Sequence, residues 1–289
     1  NITHGQIAVN ISQRECSIPT RLDEERILCV MPLFHVFATS MCLHLSIYCR
    51  GALVILKRYH PANTLEALER EQITLFPAGP TVFNGLLSYD GFKETDFTAL
   101  RRCVSGSAPL AEQTLKTWQQ ITKCPILEGY GQTEGGPVIT MFPDDEIPIP
   151  GSVGKPLPLT RVQIVDVQTG IQVLGPGEQG EIRVQGPQIM SGYRNQLDET
   201  SKTLRDGWLY TGDIGEYDNK GYIYIRDRKK DMAIVGGYNV YPREIDEVLF
   251  SHPAVIEAAT VGVPDSYRGE LIHAYAALWN GVKSSSEEL

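Results

Sequence analysis

The 289-residue chain lacks the pattern of a metal or disulfide scaffold. Its six cysteines, Cys16, Cys29, Cys42, Cys49, Cys103 and Cys124, form no CxxC pair, and all precede residue 125. That spacing offers no zinc pattern. Cys29 and Cys103 sit inside apolar runs, where a thiol serves as a small core residue, so reduced thiols in a cytoplasmic setting are expected. The histidines His4, His35, His44, His60, His252 and His273 are scattered and make neither a metal set nor a catalytic triad. Long apolar runs are missing as well. The richest stretch, residues 34–48, is interrupted by His35, Thr39, Ser40, His44 and Ser46 and is too short and too polar to span a bilayer. No charged-then-apolar signal region opens the chain. Positive charge is scarce, with 26 Lys+Arg against 35 Asp+Glu and a net charge of −9. General nucleic-acid binding, which needs a basic surface, is thereby disfavoured, whereas binding of a single nucleotide is not. The phosphate-loop pattern GxxxxGK[ST] does not occur. The nearest string, Gly281-Val282-Lys283-Ser284, lacks the first glycine and the following helix. No internal repeat or low-complexity tract is present.

What is there describes a globular protein of roughly two domains, with 42% hydrophobic and 21% charged residues. Apolar runs at 26–31, 52–56, 74–76 and 102–104, and the run into residue 127, read as buried strands. Between them, helices are expected over 36–48, over 64–71 with Asn63 as N-cap, over 81–89, and over 110–121 opened by Pro109. This alternation implies βαβ units and a parallel sheet with flanking helices. Ligands of such sheets bind at the carboxyl ends of the strands. His35, the 105–108 segment and the 130–134 segment each follow a strand, so all three should fall on one edge.

After residue 142 the texture changes. Five prolines lie between 143 and 158. Short β-branched runs at 161–167, 180–185, 208–213, 214–217 and 222–226 follow, the last two joined by the turn string DNKG. A small antiparallel β-barrel or meander is expected. The charge cluster RDRKKD at 226–231 marks the domain boundary. Residues 1–226 form a large domain, with an α/β part over 1–142 and a β-rich part over 143–226. Residues 227–289 open a small α+β domain. Within it, strands are expected at 233–235, 239–240, 255–263 and 272–278. A helix opened by Pro242 carries Glu244, Asp246 and Glu247 in its first turns, and a further helix opens over 284–289.

The stretch EGYGQTEGG, residues 128–136, is the clearest candidate site. A glycine-rich loop lets backbone N–H groups approach an anion. Thr133 can donate to a phosphate oxygen. Glu134 can hold the Mg²⁺ that phosphates bring, since that ion takes oxygen ligands and few carboxylates. Tyr130 can stack on a base. The same residues also make an ordinary polar turn between two strands. Asp213 in WLYTGD can accept from both hydroxyls of a ribose, or cap its own turn.

Three segments, EGYGQTE at 128–134, WLYTGD at 208–213 and RDRKKDMAIVGGYNVYPRE at 226–244, resemble the motifs of the adenylate-forming superfamily, in the family's order. That superfamily contains AMP-forming acyl-CoA synthetases, peptide-synthetase adenylation domains and beetle luciferases. The resemblance covers the whole chain. RDRKKD and GGYNVYPREIDEVL look most like fatty-acyl and related acyl-CoA ligases. The resemblance implies ATP and AMP, Mg²⁺, CoA as co-substrate and a small-molecule carboxylic acid, probed by a pocket lined from 34–45, 76–81 and 106–136. It assigns the nucleotide to Glu128, Gly129, Tyr130, Gly131 and Gln132, and the phosphates and metal to Thr133 and Glu134. Gly106, Ser107 and Ala108 fall near the adenine or the substrate carboxylate, in what is otherwise a tight strand-to-helix turn. His35 falls near the acyl carboxylate, the other reading being a satisfied structural histidine. Asp213 falls on the ribose. Arg228 falls on ribose or phosphate, although charge runs are usually solvated faces. Asp227 stands where many members have glycine, although other members share the aspartate. Lys230 matches the hinge between the large and small domains. Gly236 and Gly237 match the turn by which pantetheine approaches, and also read as a plain hairpin turn. Trp208 is expected in the core. The family's Ser/Thr/Gly-rich loop ending in Pro-Lys-Gly is not found in the chain, nor is the segment carrying the late catalytic lysine. The chain therefore resembles an internal fragment, expected to be inactive or nearly so by itself. Transfer to a carrier protein or to oxygen instead of CoA, and a non-catalytic nucleotide-binding module, are the alternative readings. Oligomeric state is left open.

Overall fold

Short apolar runs become strands and the stretches between them become helices in the computed structural model, which describes residues 1–265, 267–279 and 281–285. Most of the helix expected over 284–289 lies outside the described residues. The chain forms two compact units. The first comprises Asn1–Val162, Arg183–Tyr210 and Asp218–Tyr224; the second comprises Gln163–Ile182, Thr211–Tyr217 and the chain from Ile225 onward.

The first unit begins with α1 (His4–Ser17), opened by a capping box in which Thr3 and Gln6 bond each other's backbone N–H. There follow β1 (Arg26–Cys29), α2 (Val36–Ala38), a π-helical turn (Thr39–His44), α3 (Leu45–Tyr48) and β2 (Ala52–Ile55). Next come α4 (Pro61–Arg70), β3 (Leu75–Ala78), α5 (Pro80–Leu87), β4 (Arg102–Ser105), α6 (Glu112–Thr122), β5 (Ile126–Gly131), β6 (Val138–Met141) and β7 (Lys155–Pro156). The seven strands form one sheet in the order β2-β1-β3-β4-β5-β6-β7. Strands β1 to β5 are parallel, while β6 and β7 are antiparallel additions. In β4 and β5 the registered pairs run from Cys103↔Ile126 to Ser105↔Glu128, so both strands reach the same edge together.

Side chains alternate across the sheet, as pleating requires. Leu28, Phe76, Cys103 and Ile126 belong to one core with Leu65, Leu68, Phe83 and Leu86 of the flanking helices. Ile27, Cys29 and Leu75 belong to another with Ala38, Cys42 and Leu45. Trp118 is fully buried at the centre of the first, 4.9 Å from the Phe83 ring and 5.2 Å from Phe92.

The expected alternation is therefore present, with local corrections. Asn63 is not the N-cap of its helix. The helix starts at Pro61 after an extended His60, because proline's fixed φ and missing N–H suit the first helical position. Pro109 does not open α6, which begins at Glu112 after Ala111. A helix that the sequence did not announce, α7 (Leu197–Thr203), has no buried residue and so no apolar stripe to betray it.

Strands β8 (Arg161–Val165), β9 (Gly180–Gln185), β10 (Leu204–Arg205) and β11 (Trp208–Tyr217) pair in the order β10-β11-β9-β8, and β12 (Ile223–Arg228) pairs with β11. This is the expected β-rich layer. Strand β11 does not stop at Asp213 but continues to Tyr217. At the DNKG turn the Asp218 carboxylate accepts from the N–H groups of Lys220 and Tyr222 at 2.8 and 2.9 Å.

The second unit closes with β13 (Ala233–Val235), β14 (Tyr238–Val240), α8 (Pro242–Ser251), β15 (Val255–Asp265) and β16 (Gly269–Leu278). These strands form an antiparallel sheet in the order β14-β13-β16-β15. No helix among the described residues is long and apolar enough to cross a membrane.

Candidate functional site

In the first unit, the carboxyl ends of β4 and β5 and the start of α2 surround a shallow, open cleft. His35, Ser105, Gly106, Ser107, Gly129, Tyr130 and Gly131 all line it, with Phe37, Met41 and Met141 supplying apolar wall. The three strand-following segments thus meet on one edge, as the topology required. His35 caps α2, its Nδ1 accepting the Phe37 N–H at 3.3 Å, while the ring stays exposed. Its structural and functional readings are compatible. Ser105 is 1% exposed, and among the described residues its hydroxyl has no hydrogen-bond partner. A buried, unsatisfied hydroxyl costs free energy unless something binds it, and this one borders the cleft. Ser107 follows with φ of 71°, and Ala108 beside it is exposed.

Two glycines shape the loop beyond β5. A Cβ on Gly131 would lie 2.0 Å from the Pro137 carbonyl oxygen. Gly136 adopts a φ of 97°, and its Cβ would meet the Gln188 carbonyl oxygen at 2.4 Å. Between them Thr133–Gly135 forms a 3-10 turn, in which the Gln132 carbonyl accepts from Gly135 N–H at 2.9 Å and the Thr133 carbonyl from Gly136 N–H at 3.3 Å. The Thr133 side chain is exposed. Glu128 behaves differently from its neighbours: its carboxylate is buried and accepts from Leu110 N–H at 3.3 Å.

Sequence reasoning missed the partner of Glu134. The Tyr193 hydroxyl donates to Glu134 Oε1 at 2.9 Å, and the Glu134 carbonyl accepts from Met190 N–H at 2.9 Å. Burial, and then the adjoining carboxylate, raise the Tyr193 phenol above its ordinary value. The two residues are 59 apart in sequence, so no local pattern exposes the pair. Among the described residues no group of three or more His, Cys, Asp or Glu is arranged to hold a metal.

The second unit holds the remaining candidates. Asp213, 6% exposed, sits within β11 just after Gly212, whose φ is 73°. Arg228 Nε lies 3.4 Å from Asp213 Oδ1, so the ribose and phosphate candidates are adjacent. Lys229 pairs with the buried Glu181 at 2.7 Å, whereas Lys230 is exposed in the turn after β12. Asp227 has a structural task. It is 9% exposed, and its carboxylate accepts from Arg228 N–H at 2.7 Å and from Arg243 N–H, in the first turn of α8, at 3.1 Å. An acidic group there satisfies a free helix N–H and favours the helix dipole. Gly236 and Gly237 form the two-residue turn of the β13–β14 hairpin, with φ of 58° and 87°. Both central residues of such a turn need positive φ.

The family described as AMP-binding enzyme matches residues 1–194, and the AMP-binding enzyme C-terminal domain matches residues 244–289. The chain belongs to the AMP-binding enzyme family. It is 42% identical over 265 residues to a long-chain-fatty-acid–CoA ligase of Bacillus subtilis (strain 168), covering 92% of this chain and 47% of the relative. A long-chain-fatty-acid–CoA ligase of Yersinia pestis is 38% identical, covering 100% of this chain and 51% of the relative. The chain thus spans about half the length of the curated relatives it matches. Among solved structures, ATP-bound MatB from Rhodopseudomonas palustris superposes with a TM-score of 0.91 at 32% identity, covering 98% of this chain and 56% of that one. An o-succinylbenzoate CoA synthetase from Bacillus subtilis, in complex with an acyl-adenylate intermediate, gives 0.86 at 31% identity, covering 98% and 57%.

Proposed function

We propose that this chain serves the ATP-dependent activation of a carboxylic acid, a fatty acid foremost, through an acyl-adenylate, followed by transfer to CoA. A carboxylate oxygen attacks the α-phosphorus of ATP and pyrophosphate leaves. The CoA thiolate then attacks the acyl carbon, and AMP leaves. Neither step needs a protein nucleophile, so catalysis rests on positioning and on charge neutralisation. The observation that carries this reading is the cleft at the carboxyl ends of β4 and β5, where Gly106, Ser107, Gly129, Tyr130 and Gly131 converge beside the unsatisfied Ser105 hydroxyl. The fatty acid is favoured because relatives of both Bacillus and Yersinia are named long-chain-fatty-acid–CoA ligases.

The residues fit Mg²⁺ carried in with ATP. Glu134 is held through Oε1 by the Tyr193 hydroxyl, and a single carboxylate suits an ion that keeps waters and phosphate oxygens. When bound, the ion neutralises phosphate charge. Thr133 then donates to a phosphate oxygen, and Glu128 and Gln132 hold the loop that presents it. Gly106, Ser107 and Ala108 border the adenine or the acyl carboxylate, with His35 near the latter. In the second unit, Asp213 accepts from the ribose hydroxyls and Arg228 presents its guanidinium to ribose or phosphate. Lys230 is the hinge, and Gly236 and Gly237 form the turn approached by pantetheine. Five buried free cysteines favour a reducing, cytoplasmic setting.

The test is AMP release and acyl-CoA formation by a protein that contains this chain and has the full length of its relatives. It is supplied with ATP, Mg²⁺, CoA and acids of increasing chain length. CoA-dependent AMP release with a long-chain optimum is expected. Failure of every acid to release AMP would overturn the proposal.

A further inference from the structure

Three arginines in the first unit lie within 6 Å of two aromatic ring centroids on the β10-β11-β9-β8 sheet. The Arg161 and Arg183 guanidinium carbons are 5.2 and 4.7 Å from the Trp208 ring centroid. Those of Arg183 and Arg205 are 5.9 and 4.3 Å from the Tyr210 centroid. The pattern follows from strand geometry. Trp208 and Tyr210 alternate with the fully buried Leu209, and Arg183 precedes the fully buried Val184, so each pair of strand neighbours points to opposite faces. Arg205 registers with Trp208 across β10 and β11. Arg183 and Arg161 stand on the neighbouring strands β9 and β8, about 4.8 Å apart, and Arg205 stands on β10, across the Trp208–Tyr210 strand β11.

This arrangement departs from the rest of the chain. With 35 carboxylates against 26 basic groups, a typical arginine here finds an acid, as Arg50, Arg70 and Arg226 do. Among the described residues, neither Arg161 nor Arg205 makes an ion pair. Arg161 donates to Gln185 Oε1 at 3.0 Å and Arg205 to the Lys202 carbonyl at 2.6 Å. Both partners are neutral, and both arginines remain exposed. Stacking on a ring fixes a guanidinium in place while leaving in-plane N–H groups for a second partner. The neighbouring guanidinium groups repel one another, and an anion reaching both Arg161 and Arg205 reduces that repulsion. Guanidinium forks match phosphate geometry bidentately.

We propose that this face is a binding site for phosphate groups, separate from the cleft at β4 and β5, and that it takes a ligand presenting at least two phosphates side by side. Arg161 and Arg205 hold the outer phosphates, with Arg183 between them, positioned by the Tyr210 hydroxyl to which it donates at 3.0 Å. Against the chain's overall charge of −9, binding at this exposed cationic patch is sensitive to salt.

The same chemistry is offered by a free polyphosphate and by anionic lipid headgroups, and two arms separate them. In the first, the 289-residue chain is titrated calorimetrically with sodium tripolyphosphate at low and at physiological salt. In the second, it is co-sedimented with phosphatidylglycerol vesicles and with neutral phosphatidylcholine vesicles. Each arm is repeated with Arg161→Gln, Arg205→Gln and the double variant. Both side chains are exposed, so folding should survive, which circular dichroism checks. Each single variant should weaken binding by about tenfold, given the strength of charged hydrogen bonds. Arg161→Lys should recover only part of the loss, since lysine keeps the charge but not the fork. Tripolyphosphate binding that the double variant loses identifies a free ligand; binding to anionic vesicles alone, lost in the same variant, identifies a headgroup. Absence of binding in both arms, or binding that the double variant leaves unchanged, would overturn the proposal.

Discussion

Replacing Gly131 by alanine tests how tightly the glycine-rich loop is built. The added Cβ would stand 2.0 Å from the Pro137 carbonyl oxygen, 3.0 Å from its carbon and 3.1 Å from the Val138 Cα. All three are backbone atoms, so no side chain can rotate aside. Ordinary contact begins near 3.4 Å; the difference, 3.4 less 2.0, requires β5 and β6 to separate locally by about 1.4 Å. The hairpin there is already irregular, with a register shift between Tyr130 and Gly131, and has little slack. Overpacking of this kind costs about 1–3 kcal/mol, and the backbone nature of the clash places Gly131→Ala near 3 kcal/mol. Gly106→Ala is the control. Its Cβ would meet the Gly129 carbonyl oxygen and the Phe37 ring at 3.4 Å, so its cost should stay below about 1 kcal/mol. Urea unfolding followed by near-UV circular dichroism compares the two midpoints. Equal stability of the two variants would refute the reasoning.

Other expectations concern the scaffold. The Glu25 side chain is fully buried beside Arg101; burial alone would raise its carboxyl, but the Thr74 hydroxyl, the Arg21 N–H and the Arg101 guanidinium together hold it below the usual value. Its contribution is therefore complete above the unfolded value of about 4.3 and is lost as pH falls through the lower folded value. Glu25→Gln should cost about 2 kcal/mol at neutral pH and flatten the acid limb of a stability profile; an acid limb identical to wild type would count against this. Asp227→Ala removes the acceptor of the Arg243 N–H and should cost about 1 kcal/mol. Faster amide hydrogen exchange confined to α8 is the expected sign, and unchanged exchange would contradict it.

The sequence was most informative where local chemistry and periodicity agree. Alternating strands and helices fixed the parallel sheet, and the rule that strand ends share an edge brought His35, Ser105 and Tyr130 to one cleft. DNKG and Gly236-Gly237 became the turns their residue types demand. Local reasoning failed where a competing device was available. Asn63 is a good cap, but Pro61 starts the helix sooner. Helix α7 buries nothing, so it carries no periodic signal. Tyr193 meets Glu134 only through tertiary packing. Asp227, noted as a departure from the family's usual glycine, finds its reason in α8, which lies beyond it in the chain. The arginine face was invisible because 161, 183 and 205 become neighbours only through the strand order β10-β11-β9-β8, which does not follow the sequence.

The proposed function requires that an acyl-adenylate bind to this chain. Calorimetric titration with non-hydrolysable acyl-adenosine sulfamates of short, medium and long acyl chain, against wild type and Asp213→Ala, tests it most directly. The account predicts tightest binding of the long-chain analogue and a loss of tenfold or more, on the order of 1.5–3 kcal/mol, in Asp213→Ala. Binding of no analogue, or equal binding by wild type and Asp213→Ala, would contradict it.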